Sequence, residues 1–326
     1  MTSSDPMQVP VAVAVVSWNT RDLLDTCLAS MREDAARGLA EVWVIDNGST
    51  DGSPEMVSER HPWVRLLQPG TNLGYGVAVN EVARRTTSRW VAPSNSDIEL
   101  EPGALAALVT AAERDGKRIG VAGPRLILPD GSTQHGVQPF PGVGDALLRN
   151  LWAYKFSRRI GVRLCLAGYW DPSRAASVDW VTGAFMLVRR DAWEAVGGFD
   201  EAQWMYAEDL DLCWRVKRAG WDVRYEPAAR VHHALSVAAE KAFGDAEQRT
   251  ARIMRADYAW LARRRGMHAA WSIGATSVAT LAAQTGVLSL LRRIAPGRFD
   301  DTGSSSARRL RQHLRAIRVL REPGNR

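Results

Sequence analysis

The sequence is short of cysteine and of lysine, and it has no glycine-rich phosphate loop. Its three cysteines, Cys27, Cys165 and Cys213, stand far apart, are odd in number and form no Cys-x-x-Cys pair. That excludes a disulfide framework and a zinc cage, and it fits a reducing cytoplasm. No Walker lysine motif occurs. Gly74-Tyr75-Gly76 lacks the third glycine and the preceding strand of a dinucleotide fingerprint. Any bound phosphate therefore needs a metal for charge neutralisation. Met1–Pro10 has neither a basic region nor an apolar run, so no secretory signal is expected there. There is no internal repeat. With 46% hydrophobic and 24% charged residues in 326, the chain is neither wholly disordered, nor collagen-like, nor a polytopic membrane protein.

What is present is unevenly charged. The net charge is +6, but the segment from Arg249 onward has 16 arginines against 4 acids, a net +12. The rest of the chain is net negative. A basic tail on an acidic body suits an anionic surface, phospholipid or nucleic acid.

Periodicity gives an α/β pattern. Val11–Val16 and Glu41–Asp46 read as buried parallel strands, and Val64–Leu67 and Trp90–Ala92 as a third and fourth. Between them, Leu23, Leu24, Cys27, Leu28 and Met31 mark one face of a helix. Ser53-Pro54 opens another, and Val77–Arg85 and Pro102–Arg114 are two more. This alternation predicts a parallel sheet with helices on both faces. Arg125–Leu128 and Thr133–Gly136 read as a hairpin, Pro139–Pro172 as irregular and aromatic-rich, and Trp180–Arg189 as a strand. Glu208–Ala219 is an amphipathic helix. Asp222–Tyr225 and Arg230–His233 are two short strands.

Gly266–Leu291 has no charged side chain and is long enough to span a bilayer. It also carries polar side chains and has arginines at both ends. A helix lying on the membrane, or packed on the catalytic domain, is favoured. The last helix, Ala307–Arg321, groups Leu310, Leu314, Ile317 and Leu320 on one face, as a lipid-surface helix would.

Carboxylates recur just after predicted strands, where open α/β sheets bind ligands. Asp46 and Asp51 follow the second strand and Asp97 the fourth. Together they suit a hydrogen-bonding base and a divalent cation, Mg²⁺ or Mn²⁺. Glu208-Asp209-Leu210-Asp211 opens a helix, and one of these acids can serve as a general base. His232 and His233 end a strand. Neighbours on a strand point to opposite faces, so at most one reaches a shared site.

Set in order, the motifs resemble family 2 inverting glycosyltransferases of the GT-A fold. The matching stretches are Val15–Asn19, Val44–Gly52, Asn72–Gly76 with Asn80, and Ser94–Asp97. They continue with Thr182-Gly183-Ala184, Gly197–Glu201, Tyr206–Leu212 and His232. The resemblance implies a mixed sheet flanked by helices. Residues 1–236 would be catalytic, with a nucleotide-sugar half at about 11–125 and an acceptor half at about 126–236. Residues 237–326 would be a helical, membrane-associating extension.

The resemblance also implies roles. Asp46 would accept N3–H of a uracil or thymine ring. Ser17, Trp18, Asn19, Asn47, Asp51, Asn72, Gly74, Asn80 and Asn95 would contact the donor. Asp97 and His232 would hold the metal, with Asn95 replacing the first acid of the family's Asp-x-Asp motif. Asp209, beside Glu208, would be the catalytic base, and Trp180 and Gly183 would line the acceptor side. Within the family the motifs look most like bacterial rhamnosyltransferases that use dTDP-rhamnose and a polyprenyl-diphosphate-linked GlcNAc. UDP-galactofuranose enzymes and other hexosyltransferases carry closely similar motifs, and a degenerate nucleotide-sugar-binding subunit is the non-catalytic alternative. The expected setting is cytoplasmic, peripheral on the inner membrane face, with no nucleic-acid partner and a homodimer left open.

Overall fold

A computed structural model describes residues 9–114, 118–234, 246–294 and 300–322. The expectation about Met1–Pro10 therefore falls almost wholly outside the described residues, as does the start of the predicted extension at 237–245.

The elements in chain order are β1 (Val11–Ser17), α1 (Arg21–Ala36), β2 (Ala40–Asp46), α2 (Ser53–Arg60), β3 (Arg65–Leu67), α3 (Tyr75–Ala83), β4 (Trp90–Asn95), β5 (Ile98–Leu100), α4 (Ala104–Glu113) and β6 (Ile119–Ile127). Then come β7 (Val137–Gln138), α5 (Val143–Asn150), α6 (Arg158–Arg163), β8 (Ala176–Val178), β9 (Trp180–Val181), β10 (Leu187–Arg189), α7 (Arg190–Val196), α8 (Glu208–Arg218) and β11 (Asp222–His233). The last are α9 (Ala246–Arg265), α10 (Met267–Ile294) and α11 (Asp300–Ala316).

The main sheet runs β3-β2-β1-β4-β10-β6-β11-β5, with β8 added to β11. Strands β3, β2, β1 and β4 are mutually parallel, and β10 enters antiparallel between β4 and β6. The β-branched runs of β1 and β2 are buried on both faces, as central parallel strands require. Leu24, Cys27, Leu28 and Met31 of α1 are buried as their spacing predicts. The chain leaves β1 toward β2 and β3 on one side, then returns to place β4 on the other. This reversal at β1/β4 is a topological switch point, where the carboxyl ends of strands open a crevice.

Three sequence expectations change. Trp180–Arg189 is two strands, because 182–186 leaves the ladder as a loop and resumes in β10. Asp222–His233 is one strand whose register slips between Glu226 and Arg230, not two strands. The predicted hairpin is reduced to a turn at Pro129–Ser132 and a single bridge, Ile127 to Thr133.

The chain forms two compact units. One is drawn from Met1–Gln138 and Pro172–Ala242, the other from Pro139–Asp171 and Phe243–Arg326. The stretch 139–171, expected in the acceptor half of the catalytic domain, thus belongs with the C-terminal helices. It holds α5, which packs on α10. In the helical unit, α10 buries Ala270, Ile273, Gly274, Ser277, Leu281, Gln284 and Leu288 along one face. Asn150 is its polar lynchpin. Its amide donates to Thr280 Oγ1 (3.0 Å), and its backbone carbonyl accepts from Gln284 Nε2 (2.8 Å). Its side-chain oxygen accepts from Arg309 (3.0 Å).

By length and composition α10 could cross a membrane, yet it buries Ser277, Thr280 and Gln284 within the helical unit and exposes His268, Ser272 and Ser289. The apolar face of the last helix, expected to be free for lipid, is covered in part: Leu320 is buried, Ile317 leans on Gly274, Leu310 is half-buried, and Leu314 is exposed.

Candidate active site

The crevice starts at the ends of β1 and β2, where Ser17 and Asp46 pair in register. Asp46 is buried. Its Oδ2 accepts the backbone N–H of Gly48 (3.2 Å) and Ser49 (2.9 Å). Its Oδ1 is buried with no partner. A buried carboxylate oxygen left open is costly, so it marks a place where a ligand N–H belongs.

The loops around Asp46 are stitched together. Asn19, in the left-handed region at φ 54°, accepts from Thr50 N–H (2.8 Å) and donates its own N–H to Ser49 Oγ (2.8 Å). Asn47 accepts from Leu73 N–H and donates to Gly74 O, each at 3.3 Å, and Asn72 Oδ1 accepts from Gly74 N–H (2.9 Å). Gly74 has φ 77°, and a Cβ there would lie 2.6 Å from Trp204 O. Only glycine fits that position. Trp18 is half-buried beside these turns.

Several residues predicted for the donor are also held by the protein itself. Ser17 is fully buried, and its hydroxyl is bonded to Thr20 Oγ1 (3.1 Å). Asp51 caps two helices, accepting Arg21 N–H (2.9 Å), Ser53 N–H (3.1 Å) and Ser53 Oγ (2.5 Å). Asn80 clamps the glycine-rich turn after α7. Its amide donates to Phe199 O (2.9 Å) and accepts Phe199 N–H (3.0 Å). A Cβ on Gly198 would lie 2.7 Å from Asn80 Oδ1, which explains the glycine. Asn95 closes β4, with its N–H on Ala184 O (2.9 Å).

Asp209, the expected base, sits at the start of α8. Gly183 N–H donates to Asp209 Oδ2 (2.8 Å), and Leu210 N–H to Oδ1 (2.8 Å). Gly183 O in turn accepts the hydroxyl of buried Tyr75 (2.7 Å). A Cβ on Gly183 would lie 3.3 Å from Asp209 Cβ, so a bare backbone lets the carboxylate approach. Burial raises the Asp209 pKa, against the hydrogen bonds that lower it. Glu208 is pushed up to about 8, first by burial and then by the charge of Asp209. Tyr206 and Ala207, just ahead, both lie in the left-handed region at φ 62°. Two such residues cost about 1–3 kcal/mol each, strain that clusters at functional sites. Trp180 is half-buried on β9, opposite Gln138 of β7.

The metal residues need one correction. His232 points away from Asp97: it is half-exposed and pairs with Glu101 (3.0 Å), which also binds Arg230 (2.9 Å). His233, the next residue, is buried with its Nε2 3.3 Å from Asp97 Oδ1. The reason is strand parity. Ala229, Val231 and His233 face inward, and His232 faces out. Gln134 Oε1, which can only accept, lies 2.7 Å from His233 Nδ1. Nδ1 is therefore the donor there, and Nε2 is turned to the carboxylate of Asp97. Such a pair suits a cation. Among the described residues no cluster of three or more His, Cys, Asp or Glu occurs. Two protein ligands with substrate phosphates and water fit Mg²⁺ or Mn²⁺.

Known proteins of similar sequence and fold point to one family. The profile of Glycosyl transferase family 2 matches residues 12–166, and that of Glycosyl transferase family group 2 matches 135–296. An N-acetylglucosaminyl-diphospho-decaprenol L-rhamnosyltransferase of Mycobacterium tuberculosis is 36% identical over 241 residues, 68% of this chain and 75% of the relative. The chain belongs to glycosyltransferase family 2. Rhamnosyltransferase WbbL of Escherichia coli is 48% identical over 56 residues, 17% of this chain and 21% of its own. Among solved structures, mannosyltransferase PcManGT from Pyrobaculum calidifontis, in complex with GDP-Man and Mn²⁺, superposes with TM-score 0.60 at 19% identity. It covers 96% of this chain and 87% of its own. GalNAc-T7 with UDP, GalNAc and Mn²⁺ gives 0.55 at 14% identity, over 80% of this chain and 51% of its own. Both likenesses place this glycosyltransferase in the GT-A fold.

Sequence reading offered both His232 and His233 and settled on His232, and it missed Gln134 and Tyr75. The inward parity of Val231 was the available signal for His233. Nothing local marked Gln134 or Tyr75, whose partners lie 99 and 108 residues away.

Proposed function

We propose that this family 2 enzyme is an inverting rhamnosyltransferase. It moves L-rhamnose from dTDP-rhamnose onto a lipid-linked acceptor such as GlcNAc-diphospho-polyprenol, at the inner face of the plasma membrane. The observation that carries the donor and acceptor is the 36% identity to the mycobacterial rhamnosyltransferase along three quarters of its length. The open Oδ1 of Asp46 would accept thymine N3–H. Asp97 and His233 would hold Mg²⁺ or Mn²⁺, which when bound supplies positive charge to the leaving diphosphate. Asp209 would take the proton of the acceptor hydroxyl as that oxygen bonds to the anomeric carbon from the face opposite the diphosphate. The C–O bond to the diphosphate breaks, dTDP departs, and the configuration inverts. The Gly183 N–H holds the carboxylate in position for that transfer.

The test is a thermal-shift series with dTDP, UDP, GDP and ADP, each with Mn²⁺ or with EDTA. A ligand at ~100 times its Kd stabilises by about 2.7 kcal/mol. The expected result is a metal-dependent shift with dTDP. A shift with UDP alone reassigns the donor to a UDP-hexose. No shift with any nucleotide overturns the donor reading.

A further inference from the structure

Large apolar side chains are exposed almost wholly in one place. Of those exposed in the described chain, all but Trp204 belong to the helical unit. Val143, Leu147 and Leu151 recur every fourth residue, one stripe along α5 and the turn that follows it. Phe156, just beyond, is 90% exposed, and Val162 on α6 is exposed as well. Val287, Leu290 and Ile294 make a second exposed stripe at the end of α10, the helix on which α5 packs. Single exposed apolar groups need no explanation, whereas runs of them mark an interaction surface.

The charges beside these groups indicate what covers them. Lys155, Arg158, Arg159 and Arg163 are exposed within the same run, and Arg293 is exposed at the end of α10. Asp145 is the single acid of 143–163. Apolar groups interleaved with cations match an anionic bilayer interface. A second copy of the chain fits poorly, since a two-fold interface would set these cations against their own copies.

We infer that residues 143–163 and the last turns of α10 form the surface that docks this enzyme on an anionic phospholipid bilayer. Phe156 enters the acyl boundary, and Lys155, Arg158, Arg159 and Arg163 meet lipid phosphates. The basic C-terminal helix is a lesser contact: Ile317 packs on Gly274 of α10 and Leu320 is buried, which leaves Leu314 as the exposed apolar side chain of that face. The inference deepens the lipid-linked acceptor reading and rests on it for purpose, while its observations are independent of the active site.

The experiment is flotation of the full-length protein with phosphatidylglycerol–phosphatidylcholine vesicles and with phosphatidylcholine vesicles, alongside sedimentation without lipid. The variants are L151Q/F156S and R158E/R159E, all at exposed positions. The wild type is expected to float with the anionic vesicles. Each double variant is expected to lose about tenfold or more in partitioning, R158E/R159E through lost attraction to the anionic surface and L151Q/F156S through lost apolar burial. Their dTDP-induced thermal shift and their transfer to a short-chain, soluble acceptor should match wild type. Failure of wild type to float, or flotation of the variants equal to wild type, overturns the inference. So does a dimer in sedimentation that the same substitutions dissociate. Loss of transfer in all proteins, wild type included, instead counts against the proposed function and leaves the flotation result standing.

Discussion

The sheet unit and the helical unit treat polar and apolar side chains in opposite ways. In the sheet unit Trp204 is the one large apolar group exposed among the described residues, and polar groups collect at the strand ends. There Asp46 keeps one oxygen open, and Asp97 faces His233. In the helical unit Asn150, Thr280 and Gln284 are buried, while Leu151, Phe156, Leu290 and Ile294 are exposed. One unit holds its polar groups ready for a ligand. The other ties its polar groups together inside and leaves apolar ones outside. Such a division is what a glycosyltransferase needs when one substrate is a charged nucleotide sugar and the other is anchored in lipid.

Substitutions can break either side of this contrast independently. The largest effect is expected for Asp209→Asn, which should lower kcat by about 10²–10⁴-fold while dTDP binding, read by thermal shift, is retained. Next is Asp46→Ala, which removes the charged acceptor for the base. Donor affinity should fall about 10–100-fold, measured by calorimetry, with the fold intact. Gly183→Ala pushes a methyl toward Asp209 and should cost about tenfold in kcat with little change in donor KM. On the other side, Asn150→Ala strips two side-chain hydrogen bonds in the helical unit, to Thr280 and from Arg309, and should destabilise it by about 1–3 kcal/mol in urea unfolding, with donor affinity unchanged.

The smallest effect is on the pH profile. Asp209 must be ionised to act as a base, and its raised pKa puts the acidic limb of kcat above the ordinary carboxylate range. Glu208, held protonated up to about pH 8, is already uncharged where Asp209 titrates, so Glu208→Gln should leave that limb in place. For stability, the folded pKa of Glu208 is about 8 against 4.5 in the unfolded chain. The folded state then holds the extra proton between those values. Stability from this group is present below pH 4.5 and is lost as pH rises toward 8. Urea midpoints across that range should fall less steeply in Glu208→Gln.

Much of the sheet unit was legible because its signals are local. The β-branched runs announce β1 and β2, and the turn formers after Asp46 announce the loop that holds it. Residues whose roles depend on distant partners were not legible. Asn80 reads like a ligand contact until Phe199 is seen on its amide, 119 positions away. Asp51 reads like a ligand contact until Arg21 N–H is seen on its carboxylate. His232 and His233 differ only in strand parity, which Val231 sets. The helical unit misled most. Pro139–Asp171 lacks periodicity long enough to announce α5, and its membership with α9–α11 is a tertiary fact.

The account stands or falls on sugar transfer from the Asp209 site. The decisive measurement is transfer of labelled rhamnose from dTDP-rhamnose to a short-chain GlcNAc-diphospho-prenyl acceptor, with the anomeric configuration of the product determined by NMR, for wild type and Asp209→Asn. The account predicts a metal-dependent product of inverted configuration from wild type and almost none from the variant that still binds dTDP. A product of retained configuration, or an Asp209→Asn enzyme as fast as wild type, would contradict it.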